Sequence, residues 1–120
     1  MVTEHLADNG TVPKNLARFD FAKEMVRSEQ ERPWARGHFV RTLFKNSDIR
    51  MVLISMDKGS ILKEHHADGT ISIQVLKGSV RFTAQGDEYS LQANSVLMLG
   101  PSIEHKVEAL DDSVFLLTIA

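Results

Sequence analysis

The chain is expected to fold as an all-β domain, closed as a jelly-roll barrel or a two-sheet sandwich, and three observations point there. Beyond Pro33 the apolar residues recur with a period of two, the runs are short, and Gly, Asn, Asp, Ser or Pro separates each from the next. Eight such runs lie between His38 and Ile119, more than a single open sheet carries comfortably, so closure is expected. At 120 residues, 42% apolar and 25% charged, the chain suits one compact domain with a core of its own.

Met1 to Pro13 mixes charge with Gly10, Thr11 and Pro13 without periodicity, the pattern of a tail or a docking arm. Leu16, Phe19, Phe21, Ala22, Met25 and Val26 then form one side of a short helix that ends before Pro33, because the residue preceding a proline resists the helical region. An arm along a barrel edge is the alternative. Residues 1–35 are therefore set apart as a tail with an arm or short helix, and residues 36–120 as the barrel domain.

Strands are expected over His38 to Phe44 and Arg50 to Met56, joined through Asn46, Ser47 and Asp48, which suit a hairpin turn. Thr70 to Leu76 alternates cleanly, with Ile71, Ile73 and Val75 on one face and Ser72, Gln74 and Leu76 on the other, and Gly78 ends it. Ser79 to Ala84 and Tyr89 to Leu91 flank Gln85, Gly86 and Asp87, where glycine tolerates positive φ. Ser95 to Leu99 and His105 to Glu108 are linked across Gly100, Pro101 and Ser102, and Val114 to Ile119 is the final strand.

Several partners and chemistries are excluded. A net charge of −2, with Lys and Arg scattered among acidic residues, offers no footprint for nucleic acid or an anionic membrane. The absence of cysteine removes disulfides, thiolate metal sites and a cysteine nucleophile. The opening residues lack the apolar core of a signal peptide and no run is long enough to span a bilayer, so a cytoplasmic location is expected.

The chemistry-bearing residues concentrate between Gly59 and His105. His65 and His66 precede an alternating strand, and His105 stands at the start of another; imidazoles at strand ends can converge on one cavity and bind a divalent metal, given at least three ligands. Adjacent residues on a strand face opposite ways, so His65 and His66 share the interior only if a bulge lies there.

This region resembles the cupin superfamily, in particular the small single-domain RmlC-like cupins. In the first cupin motif Gly59, His65 and Gly78 match, while Ala67 stands at the second histidine position and Ile71 at the glutamate position. In the second motif Asn94, Gly100, Ser102 and His105 take the key places and only His105 matches, with Pro101 shifted by one. VLKG at Val75 to Gly78 looks like the cupin strand-turn signature, and LDDSVFLLTIA looks like the last strand of short cupins, so the resemblance covers Arg36 to Ala120.

The resemblance implies a jelly-roll barrel with a functional mouth around Glu64, His65, His66 and His105. A second register, placing Glu64 and His66 at the two histidine positions, yields with His105 a carboxylate and two imidazoles. Such a set suits iron, manganese or zinc, with nickel and copper as further options. Ile71 argues against a metal, since a branched apolar side chain replaces a charge-compensating carboxylate. The bland readings are a solvated strand end for the histidine pair and a backbone-bonded mouth histidine for His105.

Elsewhere, Gln74 is expected on the face away from Ile71, Arg81 and Glu88 as cross-strand or solvated charges, and His38 in packing near Trp34 and Phe39. His5 carries no assignment. Met51, Met56 and Met98 are expected as core filler, and Asp111 and Asp112 as a turn.

Three functions compete. A binding module would hold a small molecule against a wall of Ile71, Ile73 and Val75, oriented by the histidines, with or without a divalent metal. A metal-dependent dioxygenase or isomerase needs a complete metal site, and a metal-free acid–base enzyme using His105 lacks an identifiable companion acid. In the third, the dimer itself is the product: the resemblance implies a homodimer formed through a sheet edge, with Leu16 to Trp34 contributing. Binding of a small-molecule ligand is placed ahead of catalysis.

Overall fold

The computed structural model describes residues 16–120, and of Glu64 and His65 it describes the backbone alone. The expected tail, Met1 to Pro13 with His5, lies outside the described residues.

Helix α1 spans Phe21–Gln30. It starts where the Asp20 carboxylate accepts from the Lys23 backbone N–H at 3.2 Å, meeting one of the donors a helix leaves open at its first turn. Nine strands follow: β1 His38–Lys45, β2 Arg50–Met56, β3 Ile61–His65, β4 Ile71–Lys77, β5 Ser79–Ala84, β6 Asp87–Gln92, β7 Val96–Leu99, β8 His105–Ala109 and β9 Ser113–Ile119. The all-β expectation holds, and β3 is the strand the alternation pattern does not announce. Its polar second half, Lys63-Glu64-His65, carries no apolar period.

All pairings are antiparallel, in a five-stranded sheet of order β1-β2-β9-β4-β7 and a four-stranded sheet of order β3-β8-β5-β6. The main core lies between the sheets. Val52, Ile54, Met56, Ile71, Ile73, Val75 and Phe115 from the first meet Val80, Phe82, Ala84, Leu91, Val107 and Ala109 from the second. Phe82 and Phe115 are completely enclosed, and removing either ring is a loss of about 3–5 kcal/mol.

The outer face of the five-stranded sheet is also apolar, and this is where α1 belongs. Leu43, Leu53, Val114 and Leu116 form a second cluster, covered by Phe19, Phe21 and Met25, with Met51 and Leu76 at its margin. The helix is pinned by polar contacts to the same face. Arg41 on β1 pairs with Glu24 at 2.7 Å, Ser55 on β2 donates to the Ser28 hydroxyl at 3.0 Å, and the Trp34 indole donates to the Ser28 carbonyl at 2.8 Å. Beyond the helix, Arg32 joins Glu29 at 2.7 Å, pairs with Asp57, and lies over the Trp34 ring.

A short helix therefore replaces the edge arm, with one correction to its phase: Val26 and Leu16 face outward while Phe19, Phe21 and Met25 pack. Met56 is core and Met51 half-buried, as expected, but Met98 is 63% exposed, on the outer face of the edge strand β7.

Turn chemistry follows the residues. Asn46 closes β1–β2 by accepting from the Asp48 and Ile49 N–H groups. Gln85 and Gly86 both have positive φ, the two-residue turn whose twist matches antiparallel strands. At Gly78, φ is +78° and an added Cβ would lie 2.2 Å from the Asp112 carbonyl oxygen, so this position requires glycine. No helix among the described residues is long and apolar enough to cross a membrane.

Candidate functional site

Between the sheets, at the end where β2 begins and β9 finishes, the core is hollow. The cavity has a volume of about 250 Å³, room for roughly eight water-sized groups. Its apolar wall comes from Val40, Val52, Ile54, Ala67, Ile71, Leu117 and Ile119, and its polar groups are Arg50, His66 and His105. Val40 is 47% exposed, so the cavity opens beside the edge strand β1.

His105 is the buried polar group, only 3% exposed at the first position of β8. Its ring stacks on Phe82 with centroids 5.2 Å apart and planes inclined by 14°. Nδ1 lies 3.0 Å from the Ile103 carbonyl oxygen. A carbonyl only accepts, so Nδ1 carries the proton in this contact.

His66 reaches the same cavity from the segment after β3. Two features place it: the β3–β8 register slips between Leu62 and His65, and the Ala67 carbonyl accepts from the Ser102 N–H at 2.8 Å, tying this segment to the turn before β8. The slip lies ahead of the histidine pair, not between its two members. The register also sets His65 opposite His105 along the backbone. The side chains of Glu64 and His65, two of the four metal-ligand candidates, lie outside the described residues.

Of the three expected wall residues, Ile71 lines the cavity, whereas Ile73 and Val75 sit deeper in the closed core. Gln74 is on the opposite face from Ile71, opposite Val96. Arg81 pairs across the strands with Glu108 at 3.1 Å and lies 3.9 Å from Glu88. His38, near the stacked Trp34 and Phe39, is at the far end of β1. Asp111 and Asp112 form the expected turn.

Arg50 is the polar cavity residue that sequence reasoning passed over, beside the apolar Val40, Val52, Ile54, Leu117 and Ile119. Its Nε is buried and has no hydrogen-bond partner among the described residues, and the Thr42 hydroxyl is in the same condition. An unmet buried polar group costs about 1–3 kcal/mol. The signal was available: Arg50 shares its phase with Val52, Ile54 and Met56, all of them core residues. Because β2 is apolar on both faces, that phase did not stand out.

Among the described residues no three His, Asp or Glu side chains are grouped to hold a metal. The described cavity donors, two imidazoles beside a guanidinium and Ile71, do not by themselves make up a metal site.

The two facing sheets and the hollow barrel end define a cupin-type jelly-roll. Residues 52–119 match the model of the AraC-like ligand binding domain, and the chain belongs to that family. Solved structures agree on the fold. An RmlC-like cupin from Desulfovibrio desulfuricans is similar over 100% of this chain and 96% of that one, at 22% identity and a TM-score of 0.65. A cupin 2 conserved barrel domain protein from Leptotrichia buccalis shares 22% identity with a TM-score of 0.70, over 78% of this chain and 45% of that one. An RmlC-like cupin from Shewanella frigidimarina gives 20% identity and 0.66, over 70% and 76%. No curated protein matches the chain significantly in sequence.

Proposed function

We propose that this protein is a small-molecule binding module whose ligand occupies the barrel cavity, oriented by buried His105 and by His66 at the rim. The observation that carries this reading is an apolar hollow with a few converging polar groups, the usual construction of a ligand site. His105 is suited to orientation because its ring is held by Phe82 and by the Ile103 carbonyl, so it loses little freedom when a ligand arrives. The homodimer belongs to the same reading. It is supported by exposed apolar side chains on both edges of the larger sheet, Val40 on β1 and Val96 and Met98 on β7.

Saturation-transfer NMR with a panel of neutral sugars, alcohols, aromatics and organic acids tests the binding reading. Signal for at least one class, lost in His105→Ala, is expected; silence across the panel overturns it. The variant stays folded but loses about 1–3 kcal/mol, from the missing ring stack and the space it leaves. Light scattering on the eluting protein is expected to give twice the 13.5 kDa chain mass, and a value of one chain mass removes the homodimer.

A further inference from the structure

We propose that the ligand is a small organic acid and that Arg50 holds its carboxylate. This rests on the cavity being the binding site and adds the chemical class that enters it. Arginine in this molecule follows a rule with one exception. Arg32, Arg41 and Arg81, which are not fully exposed, are each paired with carboxylates. Arg18, Arg27 and Arg36 are exposed to solvent. Arg50 alone among the described arginines is partly buried, with Nε enclosed and no acceptor beside it.

Its surroundings favour an anion. No Asp or Glu is among the described residues lining the cavity, whereas His66 and His105 are. Lys45 lies opposite Arg50 on β1. Thr42, with its own unmet hydroxyl, stands opposite Val52 and hence on the face that carries Arg50. The Nε edge of a guanidinium, with the adjacent Nη, offers the parallel pair of N–H bonds that a carboxylate accepts.

The rest of the wall is branched aliphatic, from Val52, Ile54, Ile71, Leu117 and Ile119, so the remainder of the ligand is a compact apolar or weakly polar body. The apolar surroundings weaken screening and strengthen the ion contact. A phosphate dianion fits less well, since one guanidinium leaves much of its charge unmatched.

Calorimetric titration with matched probes at near-neutral pH tests this: isovalerate against isovaleramide, benzoate against benzamide, with inorganic phosphate as a third arm. At least one acid is expected to bind about tenfold or more tightly than its amide, the worth of a charge-assisted bond over a neutral one. Arg50→Gln is expected to erase that preference, and Arg50→Lys to retain part of it. Arg50→Met, which removes the unmet donor, is expected to raise the melting temperature of the ligand-free protein and supplies an independent readout.

Equal binding of acid and amide overturns the inference and leaves the cavity reading intact, provided that binding is lost in His105→Ala. A preference that survives Arg50→Gln places the carboxylate elsewhere and also overturns it. Tighter binding of phosphate than of any acid replaces the carboxylate by an inorganic anion. No binding by any probe removes both the inference and its basis.

Discussion

Gly78 shows how closely single positions are constrained in this barrel. With φ of +78° and the Asp112 carbonyl occupying the space a Cβ would need, Gly78→Ala is expected to cost about 2–4 kcal/mol in a urea titration. A change below half a kcal/mol would mean that the β4–β5 turn relaxes freely. This glycine was legible in the sequence because it ends a regularly alternating strand, and so were Ile71, Ile73 and Val75, whose period of two is the period of the pleat. Arg50 and Met98 were not. Arginine at a strand start reads as solvated and methionine within an apolar run reads as core, yet the sheet places Arg50 inward, beside the cavity, and Met98 outward on an edge. Which face a short strand buries depends on its partners, and those are distant in sequence.

At the scale of elements, α1 decides what the larger sheet can be. A sheet with one covered face needs only one apolar face, but β2 and β9 are buried on both sides because the helix lies across them. The ion pair of Arg41 with Glu24, side chains 7% and 16% exposed, sits under that cover. Glu24→Ala is expected to cost about 1–3 kcal/mol, since it withdraws a carboxylate from a buried guanidinium. Chemical denaturation checks it, and an unchanged midpoint would show that Arg41 is satisfied without Glu24. The helix was foreseeable from its spacing of apolar residues and from Pro33. The choice between helix and edge arm depended on the apolar outer face of strands placed far along the chain.

The end of the helix supplies a pH-dependent tie. The Glu29 carboxyl titrates below its ordinary value of 4.5, chiefly because Arg32 donates to it, while Arg32 is held above its ordinary range and stays charged. A lowered carboxyl pKa contributes stability above the ordinary value and loses it as pH falls through the folded-state value. Glu29→Gln is therefore expected to be less stable than the parent at neutral pH and to converge with it in acid. Because Glu29 is half exposed, solvent screens the pair and the effect is small. Parallel melting curves across the acid range read it, and a constant difference would assign the loss to geometry instead of charge.

For the whole molecule, two sheets were inferable from the number of short runs, while the order within each sheet was not. Turn residues reveal hairpins such as β1–β2 and β5–β6, but nothing local indicates that β9 inserts between β2 and β4. That insertion governs how the protein comes into being. The central strand of the larger sheet is the last of the nine to leave the ribosome, so β2 and β4 wait with open edges until synthesis has passed Ile119. Folding of this sheet is thus a late, long-range closure, slow by its topology and exposed in the interval to association with other chains. Pauses in translation upstream of Ser113 are expected to lower the yield of soluble protein, and an unchanged yield would show that the open edges of β2 and β4 are harmless in the interval.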